Sequence, residues 1–250
     1  MPILEDYFPK CLAVGAGVFG SNVTNTAALG LGCITFNRDL SPSQSAQAPQ
    51  DPLPIAAAHV LFVVADLAEV ELADLLKLLR REGSTLNCLK IGIFKSAPQA
   101  SAAALVEWFD SYLLLQEEAE QAACAEPRMV IKAIADTLTR QCLVGMDLAD
   151  LLTVFGGGHQ IWAACREAAS MAASDQTALA ALDPLVVIHP GPVRGCFVNF
   201  TGGRDVRLDV GDRAVCAIRE AMSPEAILVF NVVPDETRQD GHSVTVIVTD

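Results

Sequence analysis

The sequence predicts an α/β fold: a mostly parallel sheet with helices on both faces, then a connecting helix, then a smaller α/β domain. Three observations predict it. Cys11–Leu40 reads as strand, glycine turn, helix and strand in succession. Apolar, β-branched runs then alternate with amphipathic stretches as far as Leu115, the pattern of a parallel sheet covered on both sides. From Gly195 onward the chain is rich in strands, with one helix among them. The expected organisation is residues 1–128 as the first domain, 129–155 as the connecting helix and its loop, and 156–250 as the second domain.

Each element has its own signal. Met1–Lys10 is a short lead-in. Cys11–Val14 is a buried strand, Gly15–Gly20 a turn, Ser21–Leu29 an amphipathic helix and Cys33–Phe36 a second strand. Ser41–Pro54 is rich in Ser, Gln and Pro and reads as a loop. Ile55–Ala65 is an unbroken apolar run, as expected of a central parallel strand. Asp66–Glu82 carries Leu67, Val70, Leu72, Leu75, Leu76 and Leu79 at helical spacing, and Gly83 stops it. Leu89–Phe94 reads as a strand, Ala102–Phe109 as a helix, Tyr112–Leu115 as a strand and Met129–Val144 as a long helix. Ile161–Ala173 reads as a helix, with Asp183-Pro184 as a later break. Gly195–Phe200, Leu228–Val232 and Val244–Val248 are strands around a helix at Val210–Met222, with turns at Thr201-Gly202-Gly203 and Asp240-Gly241.

Composition narrows the functional classes. Of 250 residues, 52% are hydrophobic and 19% charged, which excludes a disordered chain. A net charge of −13 argues against binding nucleic acid or anionic lipid. The eight cysteines stand singly, with no CxxC pair and no His/Cys cluster, so a cytoplasmic protein with reduced thiols and no metal site is expected. Cys11–Asn37 is nearly free of charge, yet its glycines and its Ser, Asn and Thr residues make it a poor membrane span. His59, His159, His189 and His242 have no convergent partners and read as structural or surface residues.

Two patterns could carry chemistry. The first is Gly15-x-Gly17-x-x-Gly20 between a strand and a helix. Glycines there allow a tight turn, close backbone approach and close helix–strand packing, and a helix start can seat a phosphate. Two readings stay open: a retained structural turn, or a nucleotide loop. The same spacing satisfies the dinucleotide fingerprint, with Asn37-Arg38-Asp39 near the ribose-reading position and Arg38 suited to a 2′-phosphate. An NAD(P)-binding oxidoreductase is therefore an alternative, although the C-terminal half offers no evident acid–base set. The second pattern is Asp147-x-x-Asp150, either a helix cap or a relic of catalysis. Gly156–Gly158 reads as a hinge or helix cap.

Several ordered matches make the chain resemble the FtsZ/tubulin superfamily, most closely bacterial FtsZ. Gly15-Ala-Gly17-Val-Phe-Gly20-Ser-Asn22-Val-Thr-Asn25 resembles the family's first phosphate loop, and Asn37-Arg38-Asp39 its Asn-x-Asp. Asp147-Leu-Ala-Asp150-Leu-Leu-Thr153-Val154 resembles the loop that reaches into the neighbouring subunit. Arg194-Gly195, Asn199 and Thr201-Gly202-Gly203 resemble a further family turn, and Val244–Asp250 the closing strand. The resemblance implies a shortened FtsZ/tubulin-like N-terminal domain and a filament-forming, GTP-hydrolysing ancestry.

The departures fall on the nucleotide site. The family's Gly-Gly-Gly-Thr-Gly-Thr-Gly loop is replaced by Ala65-Asp66-Leu67-Ala68-Glu69, where two carboxylates would repel a triphosphate. Ala135 stands where the family has the Asn that reads guanine, and Gly145 where an Asn opens the subunit-reaching loop. The expectation is a degenerate GTPase that has lost GTP hydrolysis and is not an enzyme. Gly15, Gly17, Gly20, Asn22 and Asn25 would be a remnant phosphate loop, and Asp147 and Asp150 catalytic relics. No cofactor is expected, GTP or GDP being the ligand of the alternative in which a non-standard site still binds. The expected partner is a second copy, an FtsZ-like filament or another protein. The chain ends at the closing strand, without the tail through which FtsZ recruits membrane adaptors, so any membrane link is expected to be indirect.

Overall fold

The computed structural model describes residues 11–25, 33–38, 58–81, 88–96, 102–115, 126–189, 191–204, 206–238 and 240–250. The expected loop at Ser41–Pro54, the start of the strand at Ile55, the helix stop at Gly83 and the far end of the first helix lie outside these residues. Nine strands form one sheet: β1 (Cys11–Ala16), β2 (Cys33–Arg38), β3 (Val60–Asp66), β4 (Leu89–Lys95), β5 (Ser111–Leu115), β6 (His159–Ala168), β7 (Gly195–Gly202), β8 (Ile227–Pro234) and β9 (His242–Thr249). Their order is β2-β1-β3-β4-β5-β6-β9-β7-β8. All neighbours are parallel except β9, which runs antiparallel to both β6 and β7. The sheet is continuous past residue 156, because Ser111–Leu113 of β5 pairs with His159–Ile161 of β6.

Seven α-helices are described: α1 (Gly17–Val23), α2 (Leu72–Arg81), α3 (Ala102–Trp108), α4 (Pro127–Thr139), α5 (Leu148–Phe155), α6 (Ser174–Ile188) and α7 (Leu208–Ala221). Strand alternation sorts the core. Ala13, Phe62, Ile91, Ile161, Phe197 and Ile247 face one side, where α4 and α5 pack through Ile131, Ile134, Leu151 and Phe155. On the other side α2 and α3 cover β1, β3 and β4 through Leu75, Leu79 and Leu105. There α6 and α7 cover β6, β9 and β7 through Leu182, Leu185, Ala214 and Ile218. Helix α4 thus belongs to a core shared by both halves of the sheet. The mostly parallel α/β architecture read from the sequence is the one observed.

Two local readings are corrected. Ile161–Ala173 is not a helix: it holds β6 and, after a turn, a short 3-10 segment at Met171–Ala173. Alanine-rich Trp162–Cys165 suits a helix by propensity, but it pairs along β9, with Trp162, Ala163 and Ala164 buried on the two faces. Ile161 and Ala163 go to one core, Trp162 and Ala164 to the other, and tertiary pairing overrides local preference. Nor does Asp183-Pro184 break the chain, since α6 runs through Pro184 to Ile188. Proline removes one helical donor there, and burial of Leu182 and Leu185 on either side holds the helix in place. Met171–Ile188 is long and apolar enough to cross a membrane by length and composition. In this fold its Ala178, Ala181, Leu182 and Leu185 are buried against the sheet, as in a core helix.

His242 opens β9 fully buried, stacked on Phe200 with ring centroids 5.0 Å apart. Neither ring nitrogen has a hydrogen-bond partner among the described residues. Burial, aided by the positive charge of Arg238, lowers its pKa below the ordinary 6.5. The folded state therefore favours neutral imidazole, while the unfolded chain takes up a proton below about 6.5. Stability contributed here is complete above that pH and is lost as pH falls toward the depressed folded value. Urea unfolding of the wild type should weaken between about pH 7 and pH 5, and the same titration of His242→Phe should lose part of that slope.

Candidate functional site

The glycine motif is not an open loop. Gly15 lies within β1, and Gly17 and Gly20 lie within α1. Helix α1 rests on β1 and β3 with almost no separation. A Cβ at Gly20 would stand 2.3 Å from the Val64 carbonyl oxygen, and one at Gly15 would stand 2.4 Å from that of Gly20. Thr24 closes the motif: its hydroxyl donates to Gly20 O at 2.9 Å and contacts Asn37 Oδ1 at 2.7 Å. Asn22 and Asn25 are exposed.

The N-terminus of α1 already holds an anion, supplied by the chain. Glu69 Oε2 accepts from the Val18 N–H at 2.9 Å and the Phe19 N–H at 3.3 Å. Gly17 makes room for it, with φ +72° and a Cβ position 2.7 Å from that oxygen. Glu69 is delivered by a tight turn after β3. The Asp66 carbonyl accepts from the Glu69 and Val70 N–H groups, each at 3.0 Å, and Asp66 Oδ1 accepts from the Ala68 N–H at 2.9 Å. This turn replaces the expected start of a helix at Asp66, and α2 begins only at Leu72. Lys95 stands 3.9 Å from Asp66 Oδ2 and 5.9 Å from the centroid of the Phe19 ring, so its charge is spent on the turn.

Asp147 and Asp150 form a reciprocal cap on α5. Asp147 Oδ1 accepts from the Asp150 N–H and Asp150 Oδ2 from the Asp147 N–H, both at 3.0 Å. Gly156 is the C-cap of the same helix, its N–H donating to Leu152 O at 2.9 Å. The structure does not bring the two patterns together: α1 lies against β1–β3 at one edge of the sheet, α5 against β7 and β8 toward the other. Asp147→Ala removes the cap and should lower stability by about 1 kcal/mol in denaturant titration.

Residues 163–250 match the model of the FtsZ family, C-terminal domain. Sequence relatives include the cell division protein FtsZ of Methanothermobacter thermautotrophicus, 25% identical over 119 residues, which are 47% of this chain and 31% of that protein. FtsZ of Wigglesworthia glossinidia brevipalpis is 30% identical over 121 residues, 48% of this chain and 32% of its own length. The matches thus span about a third of these curated relatives. In three dimensions the similarity covers nearly everything. A tryptophan-to-tyrosine mutant of M. jannaschii FtsZ superposes with a TM-score of 0.74 at 15% identity, over 99% of this chain and 92% of that one. The chain resembles FtsZ, in sequence over its C-terminal part and in fold over nearly its whole length. A TubZ from Bacillus thuringiensis serovar israelensis, crystallised as GDP-form protofilaments, has the same fold at 8% identity, with a TM-score of 0.64 over 96% of this chain and 84% of that one.

The positions matched in the sequence to the family's nucleotide motifs offer little to hold a nucleotide. Ala135 is buried in the core, and the adjacent Asp136, also buried, is held between Lys132 and Arg140. Asn199 and Thr201, matched above to a family turn, point inward and bond to one another at 2.9 Å. Glu69 was seen in the sequence only as a repelling charge. Its seat on α1 has no local signal, because it lies 51 residues from Val18. The seven described cysteines are free. Burial pushes the Cys11, Cys33 and Cys196 thiols up to about 12, which leaves no thiolate nucleophile among those three.

Proposed function

We propose that this FtsZ-like chain is a cytoskeletal or cell-division-related protein whose GTPase site is degenerate, and that it acts in the cytoplasm by self-assembly or by binding a protein partner. One observation carries the reading: the Glu69 carboxylate sits on the Val18 and Phe19 N–H groups, at the helix start where a phosphate would bind. A triphosphate would have to displace that carboxylate and settle beside Asp66 as well. The free energy of displacement would come from a glycine-rich cradle, and the sequence after β3 has none. Asp147 and Asp150 then serve as a cap rather than acting on a γ-phosphate. The named relatives are cell division proteins, and one similar structure is of protofilaments, which supports assembly as the retained activity.

Calorimetric titration with GTP, GDP and NAD(P)H in the presence of Mg²⁺ tests this. No saturable heat is expected from any of them, and sedimentation of the protein should be the same with and without GTP. Glu69→Ala should lower the melting temperature by uncapping α1. Guanine-nucleotide binding, with turnover lost in Asp147→Ala, would restore the GTPase reading. Binding of NAD(P)H alone would favour an oxidoreductase.

A further inference from the structure

At the end of the sheet opposite the glycine motif, a cavity of about 290 Å³ opens between the first residues of β6, β7 and β8 and the second half of α5. Val154, Val193 and Ile227 give it an apolar wall, and Ile227 is 45% exposed there despite its size. Thr249 lines the same space. It is 1% exposed, and its hydroxyl makes no hydrogen bond among the described residues. Position 195 leaves that hydroxyl uncovered by being glycine: a Cβ would stand 2.8 Å from Thr249 Oγ1 and 3.2 Å from Val154 Cγ1.

Arg194 stands beside it. Its N–H donates to Thr249 O at 3.0 Å and its carbonyl accepts from the Ile227 N–H at 2.8 Å, so the backbone is fixed at the cavity. The guanidinium has no ion pair among the described residues. Of the two carboxylates nearby, Asp250 is engaged by His159 Nδ1 at 3.3 Å, and Glu225 is exposed at the rim, where water screens it. A hydroxyl on the cavity wall with no partner among the described residues, and an exposed arginine whose backbone is fixed at the same cavity, are complementary to an anion with a greasy remainder. The pocket lies at the small end of the range for small-molecule sites, enough for a monocyclic acid.

We propose that this cavity binds a small molecule bearing one carboxylate on an apolar body. The Arg194 guanidinium and Thr249 hydroxyl donate to the carboxylate, and the body lies on Val154, Val193 and Ile227. The probe is benzoate, with benzamide as its uncharged counterpart, followed by amide chemical shifts of the full chain. Benzoate should saturate at a Kd of about 1 mM or below, with shifts centred on Gly195, Ile227 and Thr249. Benzamide should bind about tenfold more weakly, as should benzoate to Arg194→Gln, and Thr249→Val should cost about fivefold. Arg194 is exposed, so its substitution tests the site even if Thr249→Val folds poorly. No saturation up to about 10 mM, equal binding of the two probes, shifts centred elsewhere, or full affinity in Arg194→Gln would each overturn the proposal.

Discussion

Gly20→Ala is expected to destabilise the protein by about 3 kcal/mol or more, measured by urea unfolding. The added methyl would stand 2.3 Å from the carbonyl oxygen of Val64 and 3.0 Å from the backbone of Gly15. Neither neighbour is a side chain that can rotate away. Relief requires lifting α1 off β3, which would uncover the fully buried Val64 and disturb the Thr24 bond to Gly20 O. Gly15→Ala meets the same obstacle from the other side, at 2.4 Å from Gly20 O. Gly17→Ala should cost less, about 1–2 kcal/mol for a non-glycine residue in the left-handed region. Its close neighbour there is the flexible end of Glu69. This ranking bears on function. Glycines kept only for phosphate approach would tolerate alanine in the absence of nucleotide, whereas these support the helix–sheet contact itself. A loss of less than about 0.5 kcal/mol in Gly20→Ala would contradict the packing described.

What could be read ahead of the structure follows from how local the determining interactions are. β3 announces itself because a strand buried on both faces needs an unbroken apolar run. α5 is announced by Asp147-x-x-Asp150, since a cap and its helix are adjacent in sequence. β6 is hidden because alanine is compatible with a helix as well as with a crowded central strand. Only its register with β9, Trp162 opposite Val248 and Ala164 opposite Val246, shows which faces must be filled. Glu69 is the same problem at the candidate site. Its partner N–H groups are supplied by α1, and they come within reach only because β1 and β3 are parallel neighbours, with Ala16 beside Ala65. The glycine spacing was visible, but whether a ligand or the chain's own carboxylate fills the helix start depends on that pairing.

Asn231→Ala is the second large effect, expected at about 3 kcal/mol by the same measurement. Asn231 is fully buried on β8, opposite Asn199 of β7. Its Oδ1 accepts from Asn199 Nδ2 at 3.0 Å and its Nδ2 donates to Thr137 Oγ1 at 2.7 Å. Thr201 Oγ1 contacts Asn199 Oδ1 at 2.9 Å, and the Thr137 hydroxyl donates to Ala133 O at 2.8 Å. One chain of bonds therefore crosses from β7 through β8 into α4, the helix that shares a core with the N-terminal strands. Truncating Asn231 leaves the Asn199 amide buried without an acceptor, and that desolvation penalty outweighs the loss of the bond itself. Asn231→Leu keeps the volume but leaves the same orphaned amide, so it should be destabilising too. The double substitution Asn199→Ala with Asn231→Ala should cost less than the sum of the two, by about 1 kcal/mol or more. Strict additivity would mean that the two amides do not act as one network. Coupling of that size would account for Asn199 and Thr201, matched to a family turn, by their hold on α4.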